Sequence, residues 1–217
     1  MKIIYILEKK MSKEVMERAE IVKKLESKLK PGRFVHSIGV EYTAANLAFL
    51  YGVDVERARL AGLLHDCAKC LPAEEKLRKA KKHGLPINRS EKLNPDLLHG
   101  KLGAYYAKRK YDVKDEEILS AITYHTTGHP DMTLLEKIIF VADYIEPNRK
   151  MVKDMEEIRK EAYEDIDKCI IHILKNTLDY LNSKQYVVDE ITEQTYYFYV
   201  DKMHLKEIKH TKNVKYV

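Results

Sequence analysis

A chain of 217 residues with 45% apolar content can bury a core and form one compact domain, which excludes a disordered or low-complexity polypeptide. A formal net charge of +5, mostly from Lys, suits acidic ligands such as nucleotides and phosphates but falls short of a nucleic-acid groove. Three cysteines without a secretory signal, and an opening Met1–Leu7 run that reaches Glu8 too soon for an export core or a membrane span, imply free thiols in a reducing cytoplasm.

The periodicity is helical nearly throughout, so the expected class is all-α. A charged amphipathic helix runs from Ser12 to Leu29 toward the breaker Pro31-Gly32. A second, from about Arg33 to Leu50, stops at Tyr51-Gly52. A third starts at the N-cap Asp54 and runs to about Lys69, with Pro72 opening a Lys-rich helix that ends at His83-Gly84. A loop containing Pro86 and Asn94-Pro95 follows. Further helices are expected over Leu97–Lys110, Asp115 to about Thr126, and Leu134–Ile145, with a final long one over about Asp154–Leu181. These place one domain over 1–183. The remainder, 184–217, differs: Tyr186–Val188 and Tyr196–Val200 are β-branched or aromatic, and a hairpin, an oligomer contact or a poorly ordered tail are all open. Cys67 and Cys70 have C-x-x-C spacing but no second pair, so a structural role outweighs zinc or redox chemistry.

Polar residues stand where apolar ones belong. His36 extends the stripe Gly39, Val40, Thr43, Ala44, Leu47 by a turn, and His65-Asp66 continue the face of Ala58, Ala61 and Gly62, with Lys69 one turn on. His99 precedes the small residues Gly100, Gly103 and Ala104, His125 continues Ile118, Ala121 and Ile122, and Asp143 stands inside Val141–Ile145. A buried, unpaired carboxylate costs several kcal/mol, so something cationic has to offset Asp66 and Asp143. His83, His172, His204 and His210 lie off such stripes and read as surface residues.

Imidazole with carboxylate and without thiolate argues against a closed structural zinc site. Six side chains are too many for one tetrahedral ion and suit two six-coordinate ions, iron or manganese rather than magnesium. Such ions, roughly 3.5–4 Å apart, can share a water and lower its pKa beside a phosphoryl group.

At these positions the sequence resembles the HD-domain phosphohydrolases, helical bundles around a metal site, whose signature of a lone His, a His-Asp doublet and a distal Asp matches His36, His65-Asp66 and Asp143. His99 and His125 match the binuclear subset. The runs Arg33–Val40, Ala61–Asp66, His125–Gly128 and Ala142–Arg149 are similar to the bacterial YqeK family over about residues 15–181. That resemblance implies symmetrical cleavage of diadenosine tetraphosphate into two ADP, with iron. It puts metal ligands at His36, His65, Asp66, His99, His125 and Asp143, Asp66 bridging, and gives Asp66 and Lys69 catalytic roles. Arg33, Lys69, Thr126, Thr127, His129 and Arg149 are the candidates for substrate contact; relatives usually carry Arg where this chain has His129.

The expected mechanism is in-line attack by activated water on the second phosphorus of the bridge, with Lys69 helping to stabilise charge. Tyr144, Tyr105 and Tyr106 are possible stacking partners for a nucleoside. The expected partner is a nucleotide polyphosphate, without nucleic acid or membrane, and a homodimer is compatible. Competing readings are an HD phosphohydrolase acting on other nucleotides, a di-iron oxygenase, and a nucleotide-binding regulator without turnover.

Overall fold

Pro31 and Gly52 bracket the helix from which the site is built. In the computed structural model, which describes residues 16–214 and their side chains as far as 205, α1 (Arg18–Glu26) leads into α2 (Pro31–Tyr51). Pro31 occupies the first turn, and Gly52 closes the helix at φ 71°, a left-handed value that suits glycine. The Asp54 carboxylate accepts from Arg57 N–H and starts α3 (Val55–Leu64), which packs along α2 in the most extensive helix pair. That closeness needs Gly62, where a Cβ would come within 3.1 Å of Glu41 Cα and Val40 O. Glu41 is fully buried yet accepts from Arg18 Nε (2.6 Å) and Nη2 (2.7 Å) and from Arg59 Nη2 (3.0 Å), which fastens α1 and α3 onto α2.

The chain continues through α4 (Ala73–Lys82), α5 (Arg89–Leu93), a 3-10 turn (Pro95–Leu98), α6 (His99–Lys110) and α7 (Glu116–Tyr124). Then α8 (Leu134–Ile145) runs through the centre, in contact with α2, α3 and α7, and every residue from Leu135 to Ala142 is buried. The chain ends with α9 (Met155–Glu164), α10 (Ile166–Ser183) and α11 (Glu190–Val214). The all-α class expected from periodicity holds: no strand occurs among the described residues. None of their helices is long and apolar enough to cross a membrane.

Five elements differ from the sequence reading. Helix α3 ends at Leu64, short of the expected end at about Lys69. The first helix begins at Arg18, and the expected Ser12–Val15 portion lies outside the described residues. The Pro86–Asn94 loop contains α5, started by a capping box in which Asn88 and Glu91 exchange side-chain-to-backbone hydrogen bonds. The expected long helix over Asp154–Leu181 is two helices. Asp165 is extended (φ −148°, ψ 101°), and its carboxylate caps α10 by accepting from Asp167 and Lys168 N–H. Lastly, the segment read as a possible hairpin is helical from Glu190. Thr192, Thr195 and Tyr199 recur at helical spacing and are buried, so a period near 3.6 overrides β-branched and aromatic propensity.

Cys67 is buried, and burial pushes its thiol up to about 12, which fits a packing role rather than a thiolate ligand. Tyr199 anchors α11 close to Lys137, whose ammonium lies 5.3 Å from the Tyr199 ring centre and 2.6 Å from Asp167. Tyr199→Ala should therefore lower unfolding free energy by about 3–5 kcal/mol, read in a denaturant melt. An unchanged midpoint would show that α11 contributes nothing to the folded domain.

Candidate metal centre

Helix ends supply most of the cluster. The last carbonyls of a helix have no partner within it, and three histidines take such carbonyls from their own last turns. His65, just past α3, has Nδ1 2.6 Å from Gly62 O, and His125, just past α7, has Nδ1 2.8 Å from Ile122 O. His99, following the 3-10 turn, has Nδ1 against Asp96 O. A carbonyl only accepts, so Nδ1 carries the proton in each ring and Nε2 is left as a bare donor atom. His36 lies inside α2, where no carbonyl is free; its Nδ1 meets Glu146 Oε1 at 3.0 Å instead.

The four Nε2 atoms converge in two pairs, His36 with His65 at 3.2 Å and His99 with His125 at 3.0 Å. Asp66 stands between the pairs and divides its oxygens. Oδ2 lies 3.5 Å from His65 Nε2 and 3.9 Å from His36 Nε2, while Oδ1 lies 3.3 Å from His99 Nε2 and 3.6 Å from His125 Nε2. Asp143 Oδ1 completes the first group at 2.9 Å from His36 Nε2. The donor sets His36–His65–Asp143 and His65–Asp66–His125 each have the spacing to hold a metal ion, and Asp66 Oδ1 is buried without a hydrogen-bond partner. Imidazole and carboxylate donors around an orphaned carboxylate oxygen fit first-row transition metals.

Electrostatics point the same way. Burial opposes ionisation of Asp66, but the surrounding His65, His125 and His99 outweigh it and hold the carboxyl well below its ordinary range. Burial likewise opposes ionisation of Asp143, and His36 and Arg149 overcome it. Burial also disfavours charge on His36, yet Asp143 and Glu146 raise its pKa. The pull that raises a proton affinity here is the pull that would hold a metal cation.

Of the other expected site residues, Arg33 donates to Asp66 Oδ2 (2.7 Å), and Arg149 donates to Asp143 through Nη2 (3.1 Å) and Nε (2.9 Å to the carbonyl). The α3 helix ends at Leu64 and continues in tighter turns, so Lys69 reaches the second histidine pair. Its Nζ lies 3.3 Å from His99 Nε2, and burial lowers its pKa. Thr126 Oγ1 lies 3.2 Å from His99 Nε2, whereas Thr127 turns away and donates to Gly128 O. His129 lies apart from the group: its ring packs on Tyr124 and its Nε2 lies 3.0 Å from Glu136. A buried carboxylate on α8 holds it there.

A cleft of about 650 Å³ opens beside the first donor group. Its lining combines the cations Arg33, Arg149 and Lys150 with the side chains of Tyr144, Val152, Met155 and Tyr180. Tyr144 is thus in the cleft, while Tyr105 stacks on His83 and Tyr106 is buried beneath Lys110. Sequence reasoning assigned no role to Glu146; its signal was a carboxylate at the end of an otherwise apolar helix, three residues after Asp143. The remaining histidines keep their distance. His172 pairs with Glu161, and the side chain of His210 lies outside the described residues.

The HD-domain model matches residues 33–148. A Bacillus subtilis protein named "Bis(5'-nucleosyl)-tetraphosphatase, symmetrical" is 41% identical over 181 residues, covering 83% of this chain and 96% of that one. The protein of the same name from Staphylococcus aureus is 38% identical over 178 residues, covering 80% and 91%. A solved Clostridium acetobutylicum structure, described as a predicted HD superfamily hydrolase involved in NAD metabolism, superposes with TM-score 0.84 at 39% identity, covering 86% of this chain and 98% of that one.

The divided position of Asp66 makes it the residue on which both donor groups depend. Asp66→Ala should reduce bound transition metal to about half or less of the wild-type level, while His83→Ala leaves it unchanged. Elemental analysis of the purified proteins checks this, and full metal retention by Asp66→Ala would contradict the assignment.

Proposed function

The chain belongs to the HD-domain family, in its YqeK branch, and from that premise we propose that it hydrolyses diadenosine tetraphosphate symmetrically to two ADP. The observation that carries this is one carboxylate, Asp66, facing two pairs of bare imidazole nitrogens beside a cleft lined by both cationic and apolar side chains. The donor set supports two ions, with iron as the metal and manganese as the alternative, held by His36, His65, Asp66 and Asp143 on one side and by Asp66, His99 and His125 on the other. Bound there, such ions supply activation of the attacking water and neutralisation of phosphoryl oxygens.

The protein's own groups then have defined tasks. The water oxygen joins the second phosphorus, and the anhydride bond to the bridging oxygen of the third breaks. Each half leaves as ADP. Arg149 and Lys150 line the same cleft as Asp143, so they are placed to hold the phosphates that remain on the bound half. Lys69 stands beside His99 on the other side of Asp66 and offers its ammonium to the departing half. Arg33 spans the two by its contact with Asp66, and the Thr126 hydroxyl can donate to a phosphoryl oxygen beside His99. Symmetrical cleavage requires register, because the reacting phosphorus must be the second from one nucleoside. The rings of Tyr144 and Tyr180 in the cleft offer a seat that would fix that distance by stacking an adenine. The three cysteines are unpaired, which suits the reducing cytoplasm of this reading.

Product analysis tests the assignment. Iron- or manganese-loaded protein should convert diadenosine tetraphosphate to ADP alone; ATP plus AMP would overturn the register, and no turnover would overturn the reaction. In the same assay Arg149→Ala should raise KM about tenfold or more, the scale expected on losing a charge-assisted phosphate contact. His129→Ala should leave KM within about twofold, because His129 is engaged by Glu136 instead.

A further inference from the structure

Among the four histidines of the cluster, His36 is the one whose Nδ1 is not taken by a carbonyl of its own helix end. Glu146 does that work from 110 residues away. Its side chain is 1% exposed, Oε1 lies 3.0 Å from His36 Nδ1, and Oε2 accepts from Asn148 N–H (2.7 Å) and from the Asn148 side-chain amide (3.0 Å). The carboxylate is therefore held from behind by two donors in the turn after α8 and aimed at one ring nitrogen. Space for it comes from Gly39, one turn along α2 from His36, where any Cβ would collide with Glu146 Oε2. Arg149 and Asp143 complete the same turn, so one segment carries a ligand, a phosphate cation and the support of a second ligand.

We propose that Glu146 is a positioning residue of the metal centre: clamped by Asn148 and admitted by Gly39, it fixes His36 with the proton on Nδ1 and turns Nε2 toward the metal. A neutral imidazole offers one nitrogen to a metal, and an acceptor on the other nitrogen decides which. An ionised acceptor also strengthens the ligand, because it stabilises the positive charge that coordination places on the ring. A backbone carbonyl supplies orientation with less charge, so His36 is the most strongly supported of the four. Its pairing partner across the cluster is Asp143, and the ring is held between two carboxylates, one on each nitrogen. This inference rests on the metal-centre reading above and not on the identity of the substrate.

Two measurements test it without using hydrolysis. In zinc-loaded wild-type protein, nitrogen-15 NMR should show His36 with a proton on Nδ1 and zinc on Nε2; zinc on Nδ1 would overturn the proposal. Manganese titration should then show Glu146→Gln binding about tenfold more weakly than wild type, and Glu146→Ala up to about a hundredfold more weakly. In a His36→Gln background, Glu146→Gln should add less than about twofold, because the ring it supports is gone. Thermal melting of the metal-free variants separates this from simple destabilisation: a lowered melting temperature with unchanged manganese affinity means a structural role alone and would overturn the proposal. Equal losses in both backgrounds would do the same. Should Glu146→Ala and Glu146→Gln both fail to fold, the wild-type NMR result still decides the point, and Asn148→Ala should give a smaller loss of manganese affinity in the same direction.

Discussion

Three backbone carbonyls and one carboxylate set the chemistry of this molecule. Each takes Nδ1 of an inward histidine, and the consequence is four Nε2 lone pairs gathered in two pairs about 3 Å apart around a buried aspartate. Asp66 Oδ1 is buried among them without a donor, which costs about 1–3 kcal/mol and favours entry of a cation. The raised pKa of His36, which sits between Asp143 and Glu146, expresses the same demand in terms of a proton. The fold tolerates the arrangement because the helices that carry it are locked elsewhere: Glu41 ties α1, α2 and α3 through two arginines, and α8 is buried along nearly its whole length.

The cluster and the cleft divide the work of phosphate recognition. Neutral imidazoles and two carboxylates leave the centre ready for cations, while Arg33, Arg149 and Lys150 line the cleft where polyphosphate would approach. Arg33 and Arg149 already touch Asp66 and Asp143, so the cationic rim is coupled to the carboxylates proposed to hold the ions. A shift at Asp66 or Asp143 would be felt by the substrate contacts, and the reverse holds as well. The apolar lining of the cleft comes from α8, α9 and α10 together with the turn between α8 and α9, so the break between α9 and α10 belongs to the architecture of the cleft. A single straight helix from Asp154 onward would not present Met155 and Tyr180 to the same cavity.

How much of this could be read in the sequence follows from where each signal lies. Polar residues at the ends of apolar stripes marked His36, His65, Asp66, His99, His125 and Asp143, because helical periodicity is local and a histidine in such a stripe conflicts with it visibly. Helix type and most helix boundaries were legible for the same reason. What was not legible depended on partners distant in sequence. Glu146 reads as an ordinary carboxylate at a helix end until α2 is laid beside it. The partner of His129, where relatives usually carry Arg, is Glu136 on α8, which nothing local in the sequence announces. The final helix was obscured because Tyr, Phe, Thr and Val favour strands locally, and only packing against α10 reveals that the chosen period is helical. The break at Asp165 was hidden by a continuous run of good helix formers on both sides of a cap that is visible only in three dimensions.

The central claim is that Asp66 bridges two cations, one from each oxygen. Anomalous diffraction at the iron edge, from crystals of protein purified with iron, tests it most directly. The account predicts two peaks roughly 3.5–4 Å apart, one among His36, His65, Asp143 and Asp66 Oδ2, the other among His99, His125 and Asp66 Oδ1. A single peak, or two peaks with Asp66 bound to only one of them, would contradict it.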